Sequence, residues 1–171
     1  AGTTVADDGL VEEAFRAALP DAGPEQTAYV RATMGTSKIT VFRHLTGDEN
    51  RAQQANTAFE HAYARLVDDG RCAPLPGAEE TLRRLRDQGR TIALTTGFAR
   101  TTQERIIAAL GWRGLADLTL CPADAGRGRP HPDLVLTAAL RARVSSVAAV
   151  AVVGDTDSDV RTGLNAGAGV V

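Results

Sequence analysis

The stretch Ala151-Val152-Val153-Gly154-Asp155-Thr156-Asp157-Ser158-Asp159 decides how this chain is read. An apolar, β-branched run enters a turn glycine and then three carboxylates spaced two residues apart. The run predicts a buried strand, and Gly154 permits a sharp turn at its end. The carboxylates then gather at the carboxyl edge of a parallel sheet, where open α/β folds place their sites. An oxygen-only cluster suits a hard cation such as Mg²⁺. An acidic helix start accounts for one acid, because Asp and Ser favour N-caps and the helix dipole favours negative charge there. Three acids around one turn point to a metal instead.

Working outward, helices and strands alternate from residue 78 onward. Residues 79–88 read as a helix with Leu82 and Leu85 inward, residues 91–96 as a buried strand, and residues 118–121 as a short strand. Thr101-Thr102-Gln103-Glu104 offers a capping box for the helix carrying Ile106, Ile107 and Leu110. Residues 132–141 and 160–166 read as helices around the 150–153 strand. Such alternation argues a Rossmann-like, doubly wound parallel sheet. Residues 9–74 differ, because they carry only helical patterns, ended by the stiff linker Cys72-Ala73-Pro74-Leu75-Pro76-Gly77. Within them Leu10, Val11, Ala14, Phe15 and Ala18 make one apolar face. Ala52, Ala55, Phe59, Ala62 and Leu66 form a longer seam, either the core of a small bundle or a homodimer contact. The organisation expected is an α/β core of residues 1–8 and 75–171 with an all-helical insertion at 9–74. Both ends read as cut: Ala1-Gly2-Thr3-Thr4 is a turn with no strand before it, and the chain stops inside an apparent strand at Val170-Val171.

The 171 residues carry a net charge of −2, so no nucleic-acid or membrane field is implied. No apolar run reaches transmembrane length, and there is no signal peptide. Cys72 and Cys121 lack metal-ligand spacing and read as free thiols of a reducing cytoplasm. There is no glycine-rich dinucleotide loop, and Gly35-Thr36-Ser37-Lys38 has neither the spacing nor the order of a P-loop. Of 19 basic residues, Lys38 is the sole lysine. A chain that uses Arg everywhere else points to a need for an amine at that place.

Other strand ends and loops carry polar groups. Thr96 and the Gly97 N–H, at a strand end, can hold a phosphoryl oxygen, although a Thr before a turn glycine is also ordinary. Arg129, between Gly128 and Pro130 in a stiff loop, can neutralise a phosphoryl group, although a solvated arginine loop reads the same way. Taken in order, the Gly2-Thr3-Thr4 turn, Thr96, Arg129 and the pair Asp155 and Asp159 resemble the haloacid dehalogenase superfamily. The inserted helices resemble that family's movable cap. The chain is most similar to the phosphonatase branch, phosphonoacetaldehyde hydrolase and its near relatives. Ala1-Gly2-Thr3-Thr4, Thr95-Thr96-Gly97, Gly128-Arg129-Pro130-His131-Pro132, Gly154-Asp155-Thr156-Asp157-Ser158-Asp159 and Met34-Gly35-Thr36-Ser37-Lys38 carry this resemblance.

The resemblance implies a Mg²⁺-dependent hydrolase of a small phosphonate or phosphate. The nucleophilic Asp would lie two residues before Ala1. The Ala1 carbonyl and Asp155 would bind the metal, with Asp159 supporting it. Thr96 and Arg129 would act in catalysis, Met34, Gly97 and Phe98 would contact substrate, and Lys38 would form a Schiff base with the aldehyde. The imine makes chemical sense, because an iminium accepts the electrons left on carbon when the carbon–phosphorus bond breaks. Lys38 opens a predicted helix, where the dipole disfavours a cation, so its amine is expected to be easily deprotonated. The chain departs from the branch in three places. Val41 stands where the branch has His, Phe98 where it has Tyr, and Gly9 near where it has Cys. His44, one turn beyond Val41, reads as a solvated helical histidine or else as a partial substitute. Two other readings are a phosphatase of small phosphate esters and a catalytically silent binding protein.

Overall fold

The computed structural model describes residues 2–171. Four helices come first: α1 (Leu10–Ala18), α2 (Pro24–Ala32), α3 (Lys38–Thr46) and α4 (Glu49–Asp68). Each start has a local cause. The Asp7 carboxylate accepts the Val11 N–H at 3.1 Å before α1, and Asp48 accepts the Arg51 N–H at 2.8 Å before α4. Pro24 opens α2, and left-handed Gly47 ends α3.

The seam of α4 faces inward along its whole length. Ala52, Ala55, Phe59, Ala62 and Leu66 are buried, covered by α1 and α3, which pack on α4. The seam is therefore interior to this chain, and the alternative of a dimer contact there is corrected: its apolar surface is already used. All four phenylalanines of the sequence meet at this place. Phe15 lies 4.6 Å from Phe42 and 4.8 Å from Phe59, centroid to centroid. Phe98, from beyond the helical segment, packs at a tilt on Tyr63 at 4.5 Å and stacks on Phe59 at 6.1 Å. The helical segment and the remainder thus share one core.

The chain enters and leaves the helical segment side by side. Val5 and Pro74 form an antiparallel bridge, the Ala6 N–H donates to the Ala73 carbonyl at 2.9 Å, and the Leu75 N–H to that of Thr4 at 2.9 Å. Beyond it come α5 (Ala78–Asp87), β1 (Ala93–Thr95), α6 (Arg100–Ala109), β2 (Leu118–Leu120), α7 (Pro122–Ala125), α8 (Asp133–Arg141) and α9 (Asp157–Ala166). β1 and β2 are parallel, with Ala93, Leu94 and Thr95 opposite Leu118, Thr119 and Leu120. Residues around Ala151 make only a single parallel bridge, to Val170. The architecture is α/β with parallel pairing, as the alternation implies.

Two local expectations are corrected. Residues 150–153 do not form a buried strand: Val153 is 81% exposed, and β1 is likewise half open to solvent. Each is paired along one edge only. A groove of about 860 Å³, lined by Leu82, Ala93, Leu94, Ala139, Ala151 and Val153 among others, separates the unpaired edges. The proposed Thr101-to-Glu104 capping box does not form either, because α6 begins earlier, after Ala99. Thr102 instead donates its hydroxyl to Glu60. No helix among the described residues is long and apolar enough to cross a membrane.

Phe59 touches the ring cluster from its centre. Phe59→Ala should lower the unfolding free energy by about 3–5 kcal/mol, as core phenylalanine truncations do. Chemical denaturation at constant m-value measures it.

Candidate active site

Loops at one end of the α/β part converge on a loop from the helical segment. The first is the turn closed by the Gly2 N–H donating to the Val5 carbonyl at 2.7 Å. Thr3 donates its hydroxyl to Asp155 at 2.5 Å, and Gly2 lies so close against that carboxylate that no β-carbon fits. Asp155 is exposed, and no arginine or lysine among the described residues pairs with it.

Asp159 is buried behind it, at 5% exposure. It accepts from the Thr156 N–H at 3.1 Å and from the Thr156 hydroxyl at 2.6 Å, and it pairs with Arg129. Burial pushes its carboxyl up, but the Arg129 guanidinium and the Thr156 donors outweigh that and hold it below the usual range. Arg129 is itself largely enclosed, and its Nε has no partner among the described residues. A buried guanidinium with a spare donor is suited to an anion.

Thr96 follows β1 directly, its N–H donating to the Leu120 carbonyl at 3.1 Å. Its hydroxyl accepts the Phe98 N–H at 3.2 Å, which closes a tight turn over Gly97. The helical segment reaches this turn through residues 34–38. A β-carbon on Gly97 would stand 2.9 Å from the Thr36 carbonyl oxygen, and one on Gly35 would stand 2.5 Å from the Thr156 hydroxyl. Gly35 also has φ +84°, a region side chains disfavour. These glycines permit the two parts to meet backbone to backbone. The Lys38 N–H donates to the Gly97 carbonyl at 3.4 Å. Met34 lines a recess of about 410 Å³ beside Thr36, Pro130 and Thr156.

Lys38 is 6% exposed. Its ammonium nitrogen lies 5.6 Å from the Phe98 ring, 5.7 Å from Phe15 and 5.9 Å from Phe59. Burial, then the Arg129 charge, push the amine down to about 8, while Asp7 and Glu60 oppose them. The helix-start argument gives the right direction, but desolvation among the rings is the larger cause. Val41 is buried at 2% and Phe98 at 4%. His44 does not replace the missing imidazole: it is exposed and stacks on Tyr29 at 4.1 Å.

The structure therefore brings Lys38, Thr96, Gly97 and Phe98 together, and Arg129 with Asp159. The expected Ala1 carbonyl ligand lies outside the described residues. Among those residues no group of three His, Cys, Asp or Glu side chains could by itself hold a metal ion. Asp155, a free oxygen donor beside the Thr3 hydroxyl, fits a hard cation as one ligand. Glu60 is the residue that pattern reading misses. It sits between Phe59 and a buried stretch of α4, and its carboxylate accepts the Ala99 N–H at 3.1 Å and the Thr102 hydroxyl. An acid bordering an apolar seam was its only trace in the sequence.

A family model described as haloacid dehalogenase-like hydrolase matches residues 2–167. A phosphonoacetaldehyde hydrolase of Parabacteroides distasonis is 36% identical over 114 residues, covering 64% of this chain and 42% of that protein. Another of that name, from Syntrophobacter fumaroxidans, is 33% identical over 187 residues, covering 98% of this chain and 67% of that protein. The crystal structure of a phosphonoacetaldehyde hydrolase-like protein from Oleispira antarctica superposes with a TM-score of 0.86 at 26% identity, covering 98% of this chain and 67% of that one.

A lysine held near 8 binds fewer protons folded than unfolded between about 8 and its ordinary 10.5. Its contribution to stability therefore rises with pH across that window and is lost as pH falls through about 8. Cys72 and Tyr63, pushed up by burial, pull the other way. The stability difference between the parent and Lys38→Met, followed by denaturation from pH 7 to 10.5, isolates the lysine and should grow in the parent's favour.

Proposed function

The chain belongs to the haloacid dehalogenase-like hydrolases, and from that premise we propose that it hydrolyses a small aldehyde-bearing phosphonate such as phosphonoacetaldehyde. The observation that carries this reading is the burial of the sole lysine among aromatic rings, beside the Thr96–Phe98 turn. A phosphate ester needs no such amine, because its leaving oxygen bears negative charge readily. A carbon leaving group needs an electron sink. The relatives named phosphonoacetaldehyde hydrolase support the same substrate class.

In this reading the neutral Lys38 amine adds to the aldehyde carbon, and water leaves as the iminium forms. The carbon–phosphorus bond then breaks, and its electron pair enters the iminium to give an enamine. The phosphoryl group passes to a carboxylate supplied from outside residues 1–171, and water then hydrolyses that acyl phosphate, which releases inorganic phosphate and restores the carboxylate. The enamine takes a proton on carbon, water hydrolyses the resulting iminium, and the aldehyde departs with the amine restored. Arg129, the Thr96 hydroxyl and the Gly97 N–H hold the phosphoryl oxygens as charge builds on them. Asp159 keeps Arg129 in place, and Thr156 keeps Asp159 in place. When bound at Asp155, Mg²⁺ would offset the negative charge of the phosphoryl group.

The full-length protein tests the reading. Borohydride with phosphonoacetaldehyde should inactivate it and add mass at Lys38. Lys38→Arg keeps the charge without forming an imine at neutral pH. It should lose carbon–phosphorus cleavage and retain any phosphate-ester hydrolysis. A Lys38→Arg protein that cleaves the phosphonate at the parent rate contradicts the imine. A parent that cleaves only esters assigns the site to a phosphatase.

Asp155→Asn removes the free carboxylate. Turnover should become undetectable at Mg²⁺ concentrations that saturate the parent, with the circular dichroism spectrum unchanged. Full activity at low Mg²⁺ in this variant would show that Asp155 holds no metal.

A further inference from the structure

α6 starts on Ala99, whose side chain cannot cap it, and no side chain of its own segment does so. The carboxylate that serves its first turn comes from α4 instead. Glu60 accepts the Ala99 N–H at 3.1 Å through one oxygen and the buried Thr102 hydroxyl through the other. It is thus a polar tie across the packed α4–α6 contact. Its place in sequence gives the tie its meaning. Phe59, immediately before it, and Tyr63, nearly a turn after it, pack on Phe98, 6.1 Å and 4.5 Å away. Phe98 in turn lies 5.6 Å from the Lys38 ammonium nitrogen and closes the turn on Thr96.

We propose that Glu60 is a positioning residue for the Lys38 amine: it fastens α4 to the Thr96–Ala99 segment, so that Phe98 stays over the lysine, and it places a negative charge within reach of that amine. The inference rests on the reading of Lys38 as the reacting amine. Both of Glu60's roles follow from one carboxylate. A helix N-terminus draws in negative charge, and that charge then stands beside the aromatic cluster. The charged groups acting on Lys38 are Arg129 from the 128–130 loop, Asp7 before α1 and Glu60 from α4. Arg129 and burial favour the neutral amine, whereas Asp7 and Glu60 favour the ammonium. The amine keeps its position near 8 through this opposition. A more acidic amine is less nucleophilic once free, and a less acidic one is mostly protonated near neutrality. Glu60 therefore ties the geometry of the site to the protonation state its chemistry needs.

The test is the pH dependence of reductive methylation at Lys38, with formaldehyde and cyanoborohydride as probe and mass spectrometry of the Lys38 peptide as readout. The rate follows the neutral amine, so its midpoint in the parent should fall near 8. Glu60→Gln removes the charge and keeps an amide oxygen to accept a hydrogen bond. Its Lys38 should be about twofold more acidic, moving the midpoint down by about 0.3 pH unit. Glu60→Asp keeps the charge one methylene farther back, and its midpoint should lie between the two. It carries the test if Glu60→Gln does not fold. A folded Glu60→Gln or Glu60→Asp protein with the parent midpoint, or with a higher one, reduces Glu60 to a helix cap and overturns the proposal. Because this readout needs no phosphonate cleavage, a displaced midpoint in an enzyme that hydrolyses only esters keeps the tie and removes only the proposed substrate.

Discussion

The structure depends on one costly burial, that of the Lys38 amine among Phe15, Phe59 and Phe98. Taking an ammonium out of water costs several kcal/mol. The negative faces of aromatic rings return about 0.5–2 kcal/mol of this. The remainder makes the proton easier to release, and the amine is accordingly pushed down to about 8 rather than 10.5. The rings that impose this come from α1, α4 and the turn after β1, and Phe42 of α3 completes the cluster. The hydrophobic core of the helical segment and the environment of the Lys38 amine are therefore one object. A substitution that loosens the core also restores water to the amine, so stability and chemistry cannot be tuned apart here.

A second constraint is distance. The amine belongs to the helical segment, and Thr96, Gly97 and Arg129, the groups proposed to bind phosphoryl oxygens, belong to the α/β part. They can share a substrate only if the two backbones approach closely. Gly97 against Thr36, Gly35 against Thr156 and Gly128 against Ser37 allow this, since a β-carbon at any of them meets the opposite chain at 2.9 Å or less. The lysine is enclosed at this approach, which sharpens its electrostatics. Behind it, the Arg129–Asp159–Thr156 chain of contacts keeps the guanidinium aimed while leaving its Nε free.

Where the phosphonatase branch carries His and Tyr, this chain carries Val41 and Phe98, both buried. The cluster around Lys38 is apolar as a result, and its charges are supplied from farther out, by Asp7, Glu60 and Arg129. Here the amine is governed by desolvation and the Arg129 charge, opposed by the Asp7 and Glu60 carboxylates. Tyr63 contributes its ring to the cluster, and its hydroxyl has no partner among the described residues.

Local pattern carried a large part of this protein. Periodicity placed the helices of residues 9–74, the α4 seam and the strands at 93–95 and 118–120, because each depends on spacing along the chain. Composition singled out Lys38, and spacing singled out Asp155 and Asp159. What the pattern could not carry depends on what lies across space. Residues 150–153 read as a buried strand from their own apolarity, but burial of a strand depends on its neighbours, and one edge here faces a groove. The Thr101-to-Glu104 box failed because α6 begins earlier, after Ala99, where the carboxylate of Glu60 from α4 accepts the Ala99 N–H. Asp159 reads as a metal-side acid, yet only the fold reveals that Arg129 claims it. Glu60 was invisible for the same reason. The amino-acid sequence by itself determined which elements form and which side chains are chemically unusual. Tertiary structure alone decided which charges face which, because electrostatic and packing partners are chosen by proximity in space and not by separation along the chain.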